Sequence, residues 1–451
     1  MRVDVAVGGP KTARWRMHSL QDRLTAAVIG ASLTAWGCGD GTATAASGAG
    51  GSRGPGPAGA GGTESDTGGA AGSGPGGPAL ALHVQGRELR DTAGHTVVLR
   101  GVNQHGFLDV PDGGWDASGE ALYSGMGQWR PEVVQETLDE YRRLGFNVVR
   151  FHTIVDWWKT DPDTYRDPYR EVTYAEPYRS MLEEVVTWAE ARGLYVIFDF
   201  FALRNDDGVQ SGQESLPWAP WGSDPAVVAD RAEYVEIWDS VAETLGEHPN
   251  VLFELYNEPH GDAETEAEWF RFVDEVVPVV RARSDNLVIV QWDYMCWVNL
   301  DYPPPQYEAS TLGWIERHSP SGEGLVFGTH FYRNSGGGGS GSVHRTEGGL
   351  VNLWERADIE AGLEAALFRE ALDDWDVPLL VTEIGAYLSG DDQDQSQEVQ
   401  WLDNALSVLN EWNVGYVGWA WRSDEQLDHG MLHDGEPNAA GEAFLASLPE
   451  R

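Results

Sequence analysis

Two cysteines in 451 residues provide no disulfide framework, so this chain must hold its fold by a buried core. Basic residues are scarce as well, with 30 Lys and Arg against 72 Asp and Glu and a formal net charge of −42. That balance argues against a nucleic acid or an anionic membrane as partner, because phosphate binding needs a basic face. A neutral polysaccharide is indifferent to it, and solubility is the simplest account of the acidity. Phosphate-binding fingerprints are missing too. Gly101 to Gly106 has the wrong spacing, and Gly336 to Gly341 has no Lys and reads as a flexible excursion. The acidic clusters Asp206-Asp207 and Asp391-Asp392-Gln393-Asp394 lack the spaced ligand loop of a calcium site and read as solvated loops. Neither a metal nor another cofactor is expected, and no internal repeat is found.

What is present begins with an uneven N-terminus. A short apolar stretch, Leu24 to Leu33, follows Arg23 and ends in small residues, which reads as an export signal too short to span a bilayer comfortably. Met17 is a plausible alternative start. The Ala35-Trp36-Gly37-Cys38 end resembles the lipobox of bacterial lipoproteins, although Leu is usual where Ala35 stands. The resemblance implies lipidation of Cys38; the other reading is an ordinary cleaved signal. Residues 39–78 are nearly all Gly, Ala, Ser, Thr and Pro and should form a flexible linker. Residues 79–451 then form one domain, which carries 67 acidic and 24 basic side chains. Cys296, with no ligand set nearby, reads as a buried thiol. The expected protein is extracytoplasmic, either a cell-surface lipoprotein or secreted, monomeric, and touching a membrane only through Cys38.

Strand-like and helical patterns alternate through the domain, as parallel βα units require. The strand-like runs are Val97–Val102, Phe146–Phe151, Tyr195–Phe200, Val251–Leu255, Leu287–Val290, Leu325–Phe327, Leu379–Val381 and Tyr416–Trp419. Between them the helical period is clearest at Tyr178, Met181, Leu182, Val185, Val186 and Ala189, and Asp224-Pro225 has the form of a helix start. Eight strands predict an α/β fold of the closed (β/α)₈ TIM-barrel type, with an open doubly wound sheet as the alternative.

A barrel of this kind carries its active site at the C-terminal strand ends. Those ends supply Arg150, Asn257, Glu258, His330, Tyr332, Glu383 and Trp419 with Trp421. Two Glu at two strand ends fit glycoside hydrolysis, which needs a proton for the leaving oxygen and either a nucleophile or an activated water. Carboxyl groups roughly 5 to 5.5 Å apart give retention, and roughly 6.5 to 9.5 Å inversion. A cation beside one Glu would separate their pKa values, and Arg150 is the candidate.

The run Leu255-Tyr256-Asn257-Glu258-Pro259-His260 resembles the Asn-Glu-Pro signature of family 5 glycoside hydrolases, the cellulase family, and the likeness extends over nearly all of residues 79–451. It implies that Glu258 is the acid/base and Glu383 the nucleophile. Asn257 would bond the sugar 2-hydroxyl, Arg150 and Tyr332 would orient and ionise Glu383, His330 would line the site, and Trp419 would floor the reacting subsite. Trp419 and Trp421 alternate, so only one faces the site, and Trp419 is the choice. The chain departs from the family where a His usually closes strand three. Phe201 stands there, so one expected sugar contact is either missing or supplied from elsewhere, with His105 and His152 as candidates.

The expected activity is retaining hydrolysis of a β-linked polysaccharide or oligosaccharide, first an endo-β-1,4-glucan. A β-mannan or another β-glycan is the alternative substrate, and a non-catalytic glycan-binding barrel is the alternative from another class. His105, Trp157, Trp158, Trp218, Trp221, Trp292 and Trp297 are each as readily loop core as subsite.

Overall fold

The computed structural model describes residues 80–104, 131–161, 177–202, 204–206, 209–211, 215–219, 226–292, 324–332, 344–346, 349–351, 355–365, 367–386, 388, 392–422, 430–433 and 436–449. The expected signal, its Cys38 and the linker lie outside them, as do His105, Trp221, Cys296, Trp297 and Gly336 to Gly341.

Eight parallel strands close into a barrel. They are β1 (Arg100–Gln104), β2 (Val148–Ile154), β3 (Tyr195–Ala202), β4 (Val251–Glu254), β5 (Val288–Val290), β6 (Leu325–Tyr332), β7 (Leu379–Gly385) and β8 (Gly415–Arg422). Each pairs with its sequence neighbours, and β8 returns to β1. Closure excludes the open doubly wound sheet.

Helices α1 (Pro131–Leu144), α2 (Tyr178–Ala191), α3 (Arg231–Leu245), α4 (Ala263–Arg281), α5 (Arg356–Ala365), α6 (Asp392–Glu411) and α7 (Ala439–Ala446) cover the outside. The periodic residues of α2, from Tyr178 to Ala189, are all buried. Each large apolar side chain so placed stabilises the layer by about 1.5–3 kcal/mol.

Alternation along the strands divides the core in two. Val149, Phe151, Val196, Phe198, Val251 and Phe253 meet the helices. Val148, Tyr195, Ile197, Leu252, Ile289, Val326, Leu380 and Val417 fill the barrel near its N-terminal end. Leu82 and Leu89 join that inner cluster from a hairpin pairing His83–Gln85 with Glu88–Arg90, so the hairpin floors the barrel. With one end plugged by apolar side chains, the polar residues collect at the other.

Two local readings change. Helix α3 starts at Arg231, capped by the Asp230 side chain accepting from the Glu233 amide, rather than after Asp224-Pro225, which lie outside the described residues. Such a cap contributes about 1 kcal/mol. Asp392 and Asp394 belong to the opening turn of α6 rather than to a solvated loop, a position that acidic residues favour. Asp206 ends a short strand, Arg204–Asp206, paired with Val209–Ser211.

Candidate active site

Val148, Arg150 and His152 share the inward face of β2, and only Val148 is apolar. Arg150 is fully buried, and its guanidinium reaches five residues on four other strands or their ends. Nε donates to Glu254 of β4, Nη1 to Glu383 of β7 at 2.7 Å and to Asn103 of β1 at 3.0 Å, and Nη2 to Asn257 at 2.8 Å. Nη2 also lies 2.9 Å from Asp199 Oδ2 on β3. A charge buried this deeply is tolerable only when paired and hydrogen-bonded on every side. Burial would lower the Arg150 pKa, but Asp199, Glu254 and Glu383 together hold it above its ordinary value.

One cation cannot neutralise three carboxylates. Burial raises the Asp199 pKa well above its ordinary value, and Arg150 opposes this while Glu254, Glu383 and Glu258 add to it. Its contact with the Arg150 guanidinium at 2.9 Å keeps it in the same buried charge cluster.

Above this layer sit the two glutamates. Glu383 is buried on β7 and accepts from Arg150 at Oε1 and from the Tyr332 hydroxyl at Oε2, the latter at 2.8 Å. Burial nonetheless raises its pKa; His330, Arg150 and the Tyr332 hydrogen bond pull it down, and Glu258 pushes it up. Arg150 thus favours the ionised form of Glu383 without bringing its pKa below the ordinary value, since its charge is shared. Gly385, two residues on, is needed for space: a Cβ there would lie 2.3 Å from the Trp419 carbonyl.

Glu258 follows β4 with φ of 52°, the left-handed region that costs a non-glycine residue about 1–3 kcal/mol. The turn is pinned by Asn257 N–H donating to the Phe200 carbonyl at 3.2 Å and by His260 Nδ1 lying 2.8 Å from the Glu258 carbonyl. Asp262 caps α4 by accepting from the Glu264 and Thr265 amides, which closes the segment. His330, fully buried on β6, places Nδ1 2.9 Å from Glu258 Oε1 and 3.4 Å from Glu383 Oε2. Burial, with Arg150 assisting against Glu383 and Glu254, lowers its pKa to about 4, so the ring is neutral at neutral pH. Glu258, His330 and Glu383 bring one ligand-capable atom each within 4.8 Å of one another, a cluster that could also catch a metal ion.

Trp419 is half-buried on the inward face of β8, and Trp421 points outward, packed edge-on against Phe146 at 5.3 Å. Trp419 lies nearly parallel to His152 (4.9 Å, 18°) and to Phe201 (5.5 Å, 18°), and Phe201 stacks on His152 at 4.1 Å and 3°. This corrects the expectation for His152. Only 1% exposed, with Nε2 3.1 Å from Asn103 Oδ1 and one face under Phe201, it is turned into the barrel and cannot supply the sugar contact. Trp157, Trp158 and Trp292 are buried in the outer core, and Trp218 packs against it, so none of these four lines the site.

The structure therefore gathers Arg150, Asn257, Glu258, His330, Tyr332 and Glu383 into one hydrogen-bonded group beside Trp419. Sequence reading missed Asn103, Asp199, Glu254, Gln291 and Thr382, all buried around it. Glu254 and Asp199 carried a usable signal, being lone acids inside the apolar runs Val251–Leu255 and Tyr195–Phe200.

Comparison with known proteins places this geometry in context. The model of the cellulase family, glycosyl hydrolase family 5, matches residues 91–425. Endoglucanase E-5 of Thermobifida fusca is 24% identical over 343 residues, 76% of this chain and 56% of that protein. Endoglucanase A of Butyrivibrio fibrisolvens is 23% identical over 73% of this chain and 69% of its own length. The chain thus spans little more than half the length of the first of these relatives. Among solved structures, an endocellulase of the archaeon Pyrococcus horikoshii superposes with a TM-score of 0.57 at 14% identity, covering 82% of this chain and 99% of that one. The catalytic domain of a Thermobifida fusca endoglucanase gives 0.51 at 20% identity, covering 81% and 96%. These likenesses establish the TIM-barrel fold.

Proposed function

The chain belongs to the cellulase family, glycosyl hydrolase family 5, and from that premise we propose that it is a retaining β-glycosidase cutting internally in β-1,4-glucan. One observation carries the reading: Glu258 and Glu383, on the ends of two different strands, approach within 4.8 Å with a neutral His330 between them. With one oxygen of each that close, the pair is compatible with the separation of about 5–5.5 Å between the carboxyls of a retaining enzyme.

In the first step Glu258 gives its proton to the glycosidic oxygen as Glu383 attacks the anomeric carbon, and a glycosyl-enzyme ester forms. Glu258, now a carboxylate, takes a proton from water as that water attacks the same carbon; the ester breaks and Glu383 is released ionised. Arg150 and Tyr332 hold Glu383 at both oxygens, which fixes its attack direction and favours its charged form. Asn257, oriented by Arg150, faces the 2-hydroxyl, and Trp419 stacks under the reacting sugar.

β-1,4-Glucan is favoured as substrate because the relatives are endoglucanases and because a variant of the Pyrococcus horikoshii endocellulase was crystallised with cellotetraose. Purified protein assayed on β-glucan, β-mannan and xyloglucan, with product sizing, tests this. Falling chain length on β-glucan supports the proposal. Release from mannan alone moves the substrate assignment, and glycan binding without any reducing-sugar release contradicts the catalytic one. Glu383→Ala should abolish hydrolysis of every glycan that the protein cleaves.

We also infer export, tethering to a membrane through lipidated Cys38, and action as a monomer. Support comes from Arg23, the Leu24 to Leu33 stretch and the small residues before Cys38. Among the described residues no helix is long and apolar enough to cross a membrane. Labelling with radioactive fatty acid, lost in Cys38→Ser, is the corresponding test, and light scattering tests the monomer.

A further inference from the structure

The segment that carries Glu258 holds its backbone against two preferences at once. Glu258 has φ of 52°, and it precedes Pro259, whose ring favours an extended residue with φ of roughly −120° before it. Such a conformation persists only where its surroundings fix it. Fixed points lie on both sides. Upstream, the Leu255 carbonyl accepts from the Tyr234 hydroxyl at 2.8 Å and from Trp238 Nε1 at 3.2 Å, and the Asn257 amide donates to the Phe200 carbonyl. Downstream, the His260 amide donates to the Ser215 carbonyl at 3.0 Å, next to Leu216 in the outer core, and Gly261 at φ of 147° leads into the Asp262 cap of α4.

Between those points the Glu258 carbonyl meets the imidazole of His260, with Nδ1 2.8 Å from the oxygen. A carbonyl only accepts, so the proton of this bond is on Nδ1. The bond spans Pro259, which has no N–H to give, and fixes the orientation of the Glu258–Pro259 peptide from a residue whose own backbone is anchored on Ser215. With the Asn257 amide held on the other side, the direction in which Glu258 projects its side chain is set between them. Without the His260 bond that peptide is free to turn. Glu258 can then leave φ of 52° and take its carboxyl from its place 2.9 Å from His330 Nδ1.

We propose that His260 is a positioning residue whose Nδ1–H holds the Glu258–Pro259 peptide and so keeps the Glu258 carboxyl aimed at the glycosidic oxygen. This rests on the reading of Glu258 as acid/base. His260 acts through the backbone of Glu258 and exchanges no proton with the substrate. Its loss is therefore selective. Glu383 is held by Arg150 and Tyr332 from β2 and β6, so attack on the anomeric carbon survives while protonation of the leaving oxygen weakens. General acid assistance is worth about 10²–10⁴-fold, and a carboxyl released from its turn should lose about ten-fold of it. A leaving group that departs as a stable phenolate anion needs no such proton, so its release should not feel the change.

The test compares kcat/KM on cellotetraose and on 2,4-dinitrophenyl β-cellobioside in wild type, His260→Ala, His260→Asn and Glu258→Ala. Asn places Nδ2 where His places Nδ1, so it keeps the donor that Ala removes. The proposal expects His260→Ala to lose about ten-fold on cellotetraose and less than about two-fold on the aryl glycoside, with His260→Asn close to wild type on both. The histidine ¹⁵N spectrum at about pH 8, above the ordinary histidine range, should show the His260 proton on Nδ1, the signal being assigned by its loss in His260→Asn. Equal losses on the two substrates, no loss on cellotetraose, an Asn variant as poor as Ala, or a wild-type ring protonated on Nε2 overturns it. Should His260→Ala fail to fold, His260→Leu, which keeps bulk without a donor, takes its place, and the wild-type spectrum decides in either case. Full turnover of both substrates by Glu258→Ala would overturn the acid/base reading itself. A substrate split in Glu258→Ala without one in His260→Ala overturns the role of His260 alone.

Discussion

Tyr332 donates its hydroxyl proton to Glu383 Oε2 at 2.8 Å, against a carboxyl whose pKa burial has already raised. The bond favours the ionised nucleophile. Tyr332→Phe removes it, so the Glu383 pKa rises further and the acid limb of kcat/KM moves up by about one pH unit. Activity on the acid side of that limb should fall up to about ten-fold more than activity on the plateau. An unshifted acid limb would mean that another group governs it.

Arg150 and Asp199 lie 2.9 Å apart but should respond very differently to mutation. Arg150→Met leaves Glu254 and Glu383 buried without their cation, which costs about 3–5 kcal/mol. Asp199→Asn replaces a carboxyl whose pKa burial has raised well above its ordinary value, so it should cost under about 1 kcal/mol and keep kcat/KM within a few-fold. Urea unfolding of both variants checks the contrast. Equal losses would show Asp199 to be ionised.

Trp419 presents a half-buried ring above His152 and Phe201. Trp419→Ala should cost on the order of 1–2 kcal/mol of sugar stacking, which is about five- to thirty-fold in kcat/KM. Both pH limbs should stay in place, because the ring carries no proton in the reaction. Steady-state kinetics across pH separate this from a change in the acid/base pair.

His330 gives the fold a pH dependence of definite sign. Its folded pKa of about 4 lies below the ordinary value of 6.5, so between these the unfolded chain binds the proton and the native protein does not. Stability therefore falls as pH drops from about 6.5 to about 4, by roughly 3 kcal/mol from this residue. Glu383 acts oppositely, since its raised pKa means the native state holds a proton longer, and its contribution is lost as pH rises through that value. Chemical denaturation at pH 7 and pH 4.5 should show the wild type losing more stability than His330→Gln. An equal loss would contradict a buried neutral ring.

Much of this was legible in the amino-acid order. The barrel could be read because each strand carries its own apolar run, as in Val148–Ile154 and Tyr195–Ala202, and periodicity is a local property. Arg150, Asn257, Glu258 and Glu383 could be collected because barrel strands deliver residues to a common end. The network beneath them could not be read. Asn103, Asp199, Glu254, Asn257 and Glu383 converge on Arg150 from four strands or their ends, and only closure of the sheet specifies that meeting. Gln291 is a sharper case, since its place depends on a missing Cβ at Gly328 on the next strand. The role given to His152 failed for a similar reason: nothing local says that Phe201 will cover its face.

The central claim is that Glu258 and Glu383 carry out a double displacement, and the anomeric form of the first product tests it most directly. Cellotetraose hydrolysed inside the NMR tube should release β-anomeric reducing ends first, with the α-anomer growing in only by mutarotation. First appearance of the α-anomer would mean direct attack by water, and would contradict Glu383 as the nucleophile.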